Sequence, residues 1–460
     1  MTDHNKSQLL ESLSTIVGER GLLTGDDVSN RPNHSWGQGS CPARAIVRPA
    51  STEELSAVMK LCQQEGQTVV PWGGLTGLVD GITCDPNDIV VSLERMNQVE
   101  HIDEQAGTMI VQAGAILENV QAAAEKAGWQ FAVDFGARGS ANIGGAIATN
   151  AGGNSVVRYG MMREQVLGIE AVMADGTVLC NLNESIKNNT GYDLKHLLIG
   201  SEGTLGIVTR AVLRLRPAAR SVQTALVALE SYDDVVGLLR RLGVELEGKL
   251  SAFEVMWHNF YHFMTEESGK HQAALPGHYP YYVLLESEGA DAGREEAQFM
   301  AVLGQLMEEG HVADAVICQS SQQAAQLWAM RDDVEALIVA VFPPAVFDIS
   351  LPLREMENYV DGLHADLAER FPSARMISFG HLGDGNIHLG IGPVEDKHAI
   401  ETLVYERLGQ VNGSISAEHG IGLEKREFLP NSRSAQEIAV MKSIKRALDP
   451  AGILNPGKIF

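Results

Sequence analysis

The sequence predicts an α+β protein built as two domains. Three observations predict it. The chain has 460 residues, and at roughly 150 residues per domain that length favours two or three domains. Residues 43–220 alternate short strands with short helices and are dense in glycine between 73 and 206, whereas the rest runs in longer amphipathic segments. The charge divides at the same place: residues 1–220 hold 17 Lys/Arg against 24 Asp/Glu, a net of −7, and residues 221–460 hold 18 against 35, a net of −17. We place the boundary near Pro217, after the strand-like run Ile207–Arg216.

Each element has a local reason. Ala45–Val47 is strand-like, and Thr52–Gln64 reads as a helix. Ser51 or Thr52 caps that helix, and Glu53 and Glu54 sit in its first turn, where carboxylates complement the helix dipole. Val69-Val70 is a short strand running into Pro71-Trp72-Gly73-Gly74. Ile89–Leu93, Met109–Val111, Ile169–Met173 and Ile207–Leu215 carry the β-branched and aliphatic runs of further strands. Residues 116–127 form a helix ended by Gly128, since glycine accepts the left-handed conformation that closes a helix. In the second half come strand Gln223–Leu229, helix Tyr232–Leu242, strand Tyr281–Glu286 and helix Arg294–Glu309. Strands Phe347–Leu351 and Ile387–Ile391 follow, with helix Leu353–Arg370 between them.

Composition excludes several classes. Apolar residues make up 45% and charged residues 20%, the ordinary values of a folded soluble protein. The acid is spread and not blocked, so a disordered acidic tail is excluded. A net charge of −24 repels phosphates, so no nucleic-acid partner is expected. The five cysteines, Cys41, Cys62, Cys84, Cys180 and Cys318, never form C-x-x-C. They read as idle thiols of a reducing compartment rather than a disulfide scaffold, zinc module or cysteine-ligated cluster. The apolar stretch Ala336–Phe347 is broken by Pro343 and Pro344 and falls short of the ~20 residues a spanning helix needs. The N-terminus is polar and shows no signal pattern. A cytoplasmic protein with no transmembrane segment is expected.

Three glycine loops stand out. Pro71-Trp72-Gly73-Gly74-Leu75-Thr76-Gly77-Leu78 follows a strand directly, and its glycines let a phosphate approach the backbone N–H groups. Gly144–Asn154 is made of small residues, with Thr149, Asn150 and Asn154 as uncharged hydrogen-bonding groups, and can lie flat against a planar ligand. Gly200–Ile207 is the third. One such loop is ordinarily a tight turn; three point to a ligand. No G-x-G-x-x-G follows a first strand and no G-x-x-x-x-G-K-[ST] occurs, so a nucleotide here is held in another way.

Pro71–Leu78, Gly144–Gly153 and Gly200–Ile207 resemble the FAD-binding domain of the vanillyl-alcohol-oxidase type flavoproteins, the p-cresol methylhydroxylase (PCMH) type. The resemblance runs to Asp449–Lys458 and is similar above all to the D-2-hydroxyacid dehydrogenases. It implies a two-domain flavoprotein: an FAD domain over 1–217, a substrate domain with an antiparallel sheet and flanking helices over 218–425, and a helical segment, 426–460, returning to the FAD domain. It implies that Pro71, Gly73, Gly74, Thr76, Gly77 and Leu78, with Asn142, Gly144 and Gly145, hold the FAD pyrophosphate. Thr149, Asn150, Gly152 and Gly153 would line the flavin. Glu202, Gly203 and Ile207 would lie around pyrophosphate and adenosine, and Asn455 would close the site. Leu75 stands where some members carry a tethering His, so FAD is expected to be non-covalent.

The second half carries a histidine–carboxylate set. Phe379-Gly380-His381-Leu382-Gly383-Asp384-Gly385-Asn386-Ile387-His388 places two imidazoles seven apart, and the Gly-Asp-Gly-Asn turn can fold both toward one centre. Asp384 and Asn386 are placed to hold that turn or orient the rings. Ser414-Ile415-Ser416-Ala417-Glu418-His419-Gly420 follows; if extended, Glu418 and His419 point to opposite sides. Two His and one carboxylate form a common catalytic metal set with open positions. Zinc fits best, with Mn²⁺ as the other candidate. The resemblance implies that His381, His388 and Glu418 are the metal ligands, His419 the general base and Arg331 the clamp on the substrate carboxylate.

In the D-2-hydroxyglutarate enzymes that the chain resembles, a Lys precedes the Asp of a K-Y-D-x-S-L-P stretch by two residues, and a Thr follows the Arg by four. Here those positions are Val346 and Glu335, and an acidic residue beside a distal carboxylate is repulsive. An apolar-tailed substrate, D-lactate or a longer D-2-hydroxy monocarboxylate, is therefore expected, with Arg331, Val346, Asn386, His419 and Lys458 as its contacts. Metal and Arg331 would bind it, His419 would take the hydroxyl proton, and hydride would pass to flavin N5. The electrons would go to an electron-transfer flavoprotein or a quinone, and the protein would be a homodimer. The competing readings are D-2-hydroxyglutarate dehydrogenase, the flavoprotein subunit of a glycolate-oxidase-like complex, an oxygen-using oxidase and a non-enzymatic metal binder.

Overall fold

A computed structural model describes residues 3–460 and divides them into two units. The first comprises the chain up to Gly152, Met161–Ala218 and Glu418–Phe460; the second comprises Gly153–Gly160 and Ala219–Ala417. The crossing at Ala218 lies beside Pro217, whereas the return comes at Glu418, ahead of the expected residue 426. Hydrogen bonds decide where the return falls. Ser414 and Ser350 exchange backbone bonds at 2.7 and 3.1 Å, holding Ser414 in the second unit, while Leu423 N–H donates to the Val79 carbonyl at 2.9 Å in the first. The excursion Gly153–Gly160 follows Arg158, whose guanidinium donates to the Glu288 carbonyl at 2.8 Å.

The first unit has two main sheets. One orders Leu22–Leu23, Ala45–Val47, Ile89–Ser92 and Val69–Trp72, with the last three parallel. The other orders Val99–Asp103, Thr108–Gln112, Ile207–Arg214, Val166–Val172 and Val178–Asn181, all antiparallel. Ser51, and not Thr52, caps helix Thr52–Glu65, its hydroxyl accepting the Glu54 N–H. That helix buries Leu55, Val58, Met59 and Cys62, the i, i+3, i+4, i+7 stripe of an amphipathic helix. One apolar cluster joins this stripe to Val69, Ile89, Met109, Val111, Ile147 and Leu454.

The second unit is a seven-stranded antiparallel sheet. Its strands are β1 (Ser221–Leu229), β2 (Leu250–Trp257), β3 (Tyr281–Gly289), β4 (Asp314–Ile317), β5 (Ala345–Ser350), β6 (Arg375–His381) and β7 (Asn386–Gly392), in the order β4-β1-β3-β2-β6-β7-β5. Both faces are covered, and β2 is buried throughout. One face packs Leu226, Met256, Tyr282, Leu284, Ile377 and Phe379 with Leu327, Met330 and Leu337; the last three come from helices Ser321–Arg331 and Val334–Ala340. Among the described residues no helix is long and apolar enough to cross a membrane.

The C-terminal residues close the first unit. Val69 N–H donates to the Ile453 carbonyl and Asn455 N–H to the Val69 carbonyl, both at 2.8 Å, so the terminus pairs with the strand that leads into the first glycine loop. Buried Asp449 organises this return: its carboxylate accepts the Ile453 and Leu454 N–H groups at 3.1 and 2.9 Å and meets Lys445 Nζ at 2.5 Å. Asp449→Ala takes the acceptor from two backbone donors and the counter-charge from Lys445, whose ammonium keeps the Thr204 and Leu454 carbonyls. It is expected to cost about 3 kcal/mol of stability, read as a lowered midpoint in urea unfolding.

Candidate active site

The glycine loops of the first unit come together. Gly73 and Gly74 lie against the start of helix Ile143–Thr149 so closely that a Cβ at Gly74 would stand 2.2 Å from the Ser140 carbonyl oxygen; only glycine allows this approach. Asn142 caps the helix, its Oδ1 accepting Gly145 N–H at 2.8 Å. Gly144 packs on Ala113 and Gly203 on Pro71. Thr149 Oγ donates back to the Gly145 carbonyl, and Asn150 is the left-handed cap that accepts Arg163 N–H at 2.9 Å. Asn455 Nδ2 donates to the Glu202 carbonyl at 2.8 Å, while its buried Oδ1 has no hydrogen-bond partner among the described residues. A buried orphan acceptor beside a glycine cradle fits a polar ligand held largely by backbone, and a dinucleotide such as FAD is one. Thr76, Gly77 and Leu78 sit in the loop between Trp72 and Val79, partly exposed, and Ile207 opens its strand, buried.

Two expected residues have other work. The Glu202 carboxylate accepts the Ile421 and Gly422 N–H groups, each at 2.8 Å, and burial pushes its carboxyl up. It clamps the returning segment, a better use of an anion than facing a pyrophosphate. Lys458, expected at the substrate, donates from Nζ to the Thr83 carbonyl at 2.6 Å inside the first unit, and burial holds its ammonium below the ordinary range. Segment 417–419 is a run of bends and not a strand, so simple alternation of Glu418 and His419 does not apply.

The second unit lines up charged groups across one sheet face. Glu254 on β2 is opposite His381 on β6; Phe379 on β6 is opposite His388 on β7; His388 is opposite Asp348 on β5. Opposite residues in an antiparallel ladder share a face, as do residues two apart on one strand. Glu254, His381, His388 and Asp348 therefore occupy one face of four adjacent strands. The hairpin that makes this possible turns through Leu382–Asp384 and Gly385, at φ +80°. Asp384 Oδ1 accepts the Asn386 N–H at 3.2 Å, the local bond expected of a Gly-Asp-Gly-Asn turn. The imidazole centroids of His381 and His388 are 5.2 Å apart.

Glu254 is the residue that sequence reading missed. Its side chain is 1% exposed. Oε1 accepts His381 Nδ1–H at 2.7 Å, and Oε2 accepts Arg331 Nε–H and Nη2–H at 2.8 and 2.7 Å. Burial pushes its carboxyl up, but the Arg331 charge and the hydrogen bonds from His381 and Arg331 outweigh burial, and it lies below the usual carboxylate range. Arg331, which local sequence alone would leave exposed on its helix, is instead buried, with its guanidinium carbon 5.1 Å from the Phe379 ring centroid. Its Nη2 lies 3.2 Å from His381 Nε2, and its Nη1 meets Asp332 at 3.3 Å. Asp348, also buried, accepts Asn386 Nδ2–H at 2.9 Å and lies 3.8 Å from His388 Nδ1. His381 is thus held by a carboxylate hydrogen bond, the arrangement that orients metal-binding histidines, and His388 has the Asp348 carboxylate nearby at ion-pair distance. Asn386 Oδ1 is buried with no partner among the described residues. Val346 is 39% exposed and, two residues from Asp348, shares its face.

His381, His388 and Glu418 offer ligand atoms that all lie within 4.8 Å of one another, one such group among the described residues. Chain continuity brings Glu418 there: Ala417 N–H donates to the Asp348 carbonyl at 3.3 Å, and Glu418 is the next residue. Two imidazoles and a carboxylate, with His381 held by Glu254, fit a divalent cation.

The chain is similar to known flavoproteins along its length. Residues 43–180 match the family model described as FAD binding domain, and residues 218–459 match FAD linked oxidases, C-terminal domain. A D-2-hydroxyglutarate dehydrogenase of Xanthomonas citri pv. viticola is 41% identical over 90% of this chain and 89% of its own length. One from Stutzerimonas stutzeri is 36% identical over 98% of both chains, and a mitochondrial one from Arabidopsis thaliana is 38% identical over 97% of this chain and 80% of its own. Among solved structures, p-cresol methylhydroxylase superposes with TM-score 0.75 at 14% identity, covering 100% of this chain and 97% of that one. An alkyldihydroxyacetonephosphate synthase gives 0.76 at 17% identity, covering 98% and 84%. These two likenesses show the fold, a two-domain α+β arrangement of the PCMH type.

Removing Glu254 isolates its contribution. Glu254→Ala strands a buried guanidinium and is expected to cost about 3–5 kcal/mol. The sign with pH follows from the lowered carboxyl: this stabilisation is present above the unfolded-state pKa of about 4.3 and is lost as pH falls through the folded value. Urea unfolding of wild type and variant at pH 7 and across the acid limb reads both, and the two should converge in acid.

Proposed function

The chain belongs to the FAD-linked oxidase family, and from that premise we propose that it is an FAD-dependent dehydrogenase oxidising a D-2-hydroxyacid to the 2-oxo acid. The observation that carries the reading is the ordered file of Glu254, His381, His388 and Asp348 on one sheet face, with Arg331 locked to it. Bound FAD supplies the acceptor for the hydride leaving the α-carbon. His381, His388 and Glu418 would hold a divalent cation, zinc first and Mn²⁺ second, which would supply Lewis acidity toward the hydroxyl. The rest is the work of this chain. Arg331, gripped at Nε and Nη2 by Glu254 and met at Nη1 by Asp332, is the oriented cation for the substrate carboxylate. An imidazole nitrogen of His419 takes the hydroxyl proton. Asn386 fixes Asp348 beside His388.

The favoured substrate is a monocarboxylate with an apolar tail, D-lactate or longer. Val346 puts an apolar side chain on the face of Asp348, and Glu335 opens helix Val334–Ala340 as an anion; neither attracts a second carboxylate. The relatives named D-2-hydroxyglutarate dehydrogenases favour the alternative, a dicarboxylate. An electron-transfer flavoprotein or a quinone takes the electrons, as the family resemblance implies.

A substrate panel with an artificial dye as acceptor separates these readings. D-lactate and longer D-2-hydroxy monocarboxylates should show higher kcat/KM than D-2-hydroxyglutarate; the reverse order establishes the dicarboxylate. His419→Ala should lower kcat by about 10²–10⁴-fold while FAD and metal content stay at wild-type levels.

A further inference from the structure

Two of the five cysteines are not isolated. Cys41 and Cys84, 43 residues apart in sequence, bring their Sγ atoms to 3.5 Å in the interior of the first unit. They are 3% and 4% exposed and pack in a small cluster with Val28, Ile46, Val70, Trp72 and Val90. We propose that this pair is a dithiol that peroxide converts to a disulfide, a modification site that clips residues 31–41 to the segment after the first glycine loop.

The surroundings hold the pair ready. Asn33 fastens its segment to the other: its Oδ1 accepts the N–H of Cys84 at 3.0 Å and lies 3.1 Å from the Cys84 sulfur, and its Nδ2 donates to the Cys84 carbonyl at 3.3 Å. Thr83 Oγ–H donates to the Asn33 carbonyl at 2.9 Å, and Asp80 accepts the Ser35 N–H at 2.7 Å. Cys41 N–H donates to the Arg31 carbonyl at 2.8 Å. Both thiols are thus carried on segments pinned to each other, so closing from 3.5 Å to the roughly 2.05 Å of a disulfide needs side-chain rotation and little backbone movement. The hydrogen bond from Cys84 lowers the Cys41 thiol to about 7, while Cys84, which keeps the shared proton, is pushed up by the same bond and by burial, so Cys41 is the member of the pair that forms the thiolate. The thiolate is the reactive form.

The chemistry balances with hydrogen peroxide as oxidant. The Cys41 thiolate attacks one peroxide oxygen, the O–O bond breaks, and the products are a sulfenic acid and hydroxide, which takes the proton lost by the thiol. The Cys84 sulfur then attacks the sulfenic sulfur; the S–O bond breaks, the S–S bond forms, and the departing oxygen leaves as water with the Cys84 proton. Two thiols are oxidised and one peroxide is reduced to two waters.

Peptide mapping by mass spectrometry without reductant tests this on the intact FAD-loaded protein treated with hydrogen peroxide. The expected result is a peptide pair joined through Cys41 and Cys84 that dithiothreitol separates, while exposed Cys180 forms unlinked acids. Cys41→Ser and Cys84→Ser should each abolish the joined pair. Free or singly over-oxidised Cys41 and Cys84 in the wild type, under peroxide that oxidises Cys180, would overturn the proposal without recourse to any variant.

Discussion

A single buried carboxylate sets the character of the second unit. Glu254 stands in the middle of a strand that is apolar on both sides, and a charge there is tolerable only when paired and hydrogen-bonded. It is paired twice, with Arg331 and with His381. The rest follows from that need. Helix Ser321–Arg331 must end where its last residue can reach Glu254, and the β6–β7 hairpin must present His381 in register with it. His388 then falls beside His381 because β6 and β7 pair through Phe379 opposite His388. Arg331 is consequently a fixed cation, its direction set before any carboxylate arrives, and fixed donors lose little freedom on binding.

The first unit solves a different problem. Its glycine loops rely on backbone: glycines at close approach, a capping Asn142, and a C-terminal return pinned by Asp449 and Lys445. Two groups that sequence reading assigned to ligands, Glu202 and Lys458, are spent on holding the returning segment and the 79–84 loop in place. The net charge of −24 is compatible with an anionic substrate for the same local reason. Glu254 already neutralises the Arg331 guanidinium, so the positive charge that such a substrate meets would come from a cation at His381, His388 and Glu418.

Much of this was legible in the sequence. The 217/218 neighbourhood, the strand before the first glycine loop and helices such as Leu353–Arg370 follow from local periodicity and caps, because their residues decide their own conformation. The turn between His381 and His388 was legible because Gly383 and Gly385 disfavour a continuous α-helix there. Glu254 was not. Its signal was one Glu inside Leu250–Trp257, otherwise apolar but for Ser251, and its meaning depends on which strand pairs with β2, a contact 127 residues away. Arg331 carried the same difficulty, since its own helix cannot say whether its end is exposed or buried. Cys41 and Cys84 looked scattered for that reason too: proximity created by parallel strand pairing leaves no mark on spacing.

The most direct test of the account is anaerobic reduction of the bound flavin. Stopped-flow mixing of the FAD-loaded protein with D- and L-2-hydroxyacids, before and after chelator treatment, reads the reductive step alone. The account predicts rapid bleaching by a D-2-hydroxyacid and none by its L isomer. Chelation should raise the apparent Kd for the acid as well as slow the bleaching, with both restored by Zn²⁺ or Mn²⁺. Bleaching by the L isomer, or reduction by the D isomer that chelation leaves unchanged in rate and affinity, would contradict it.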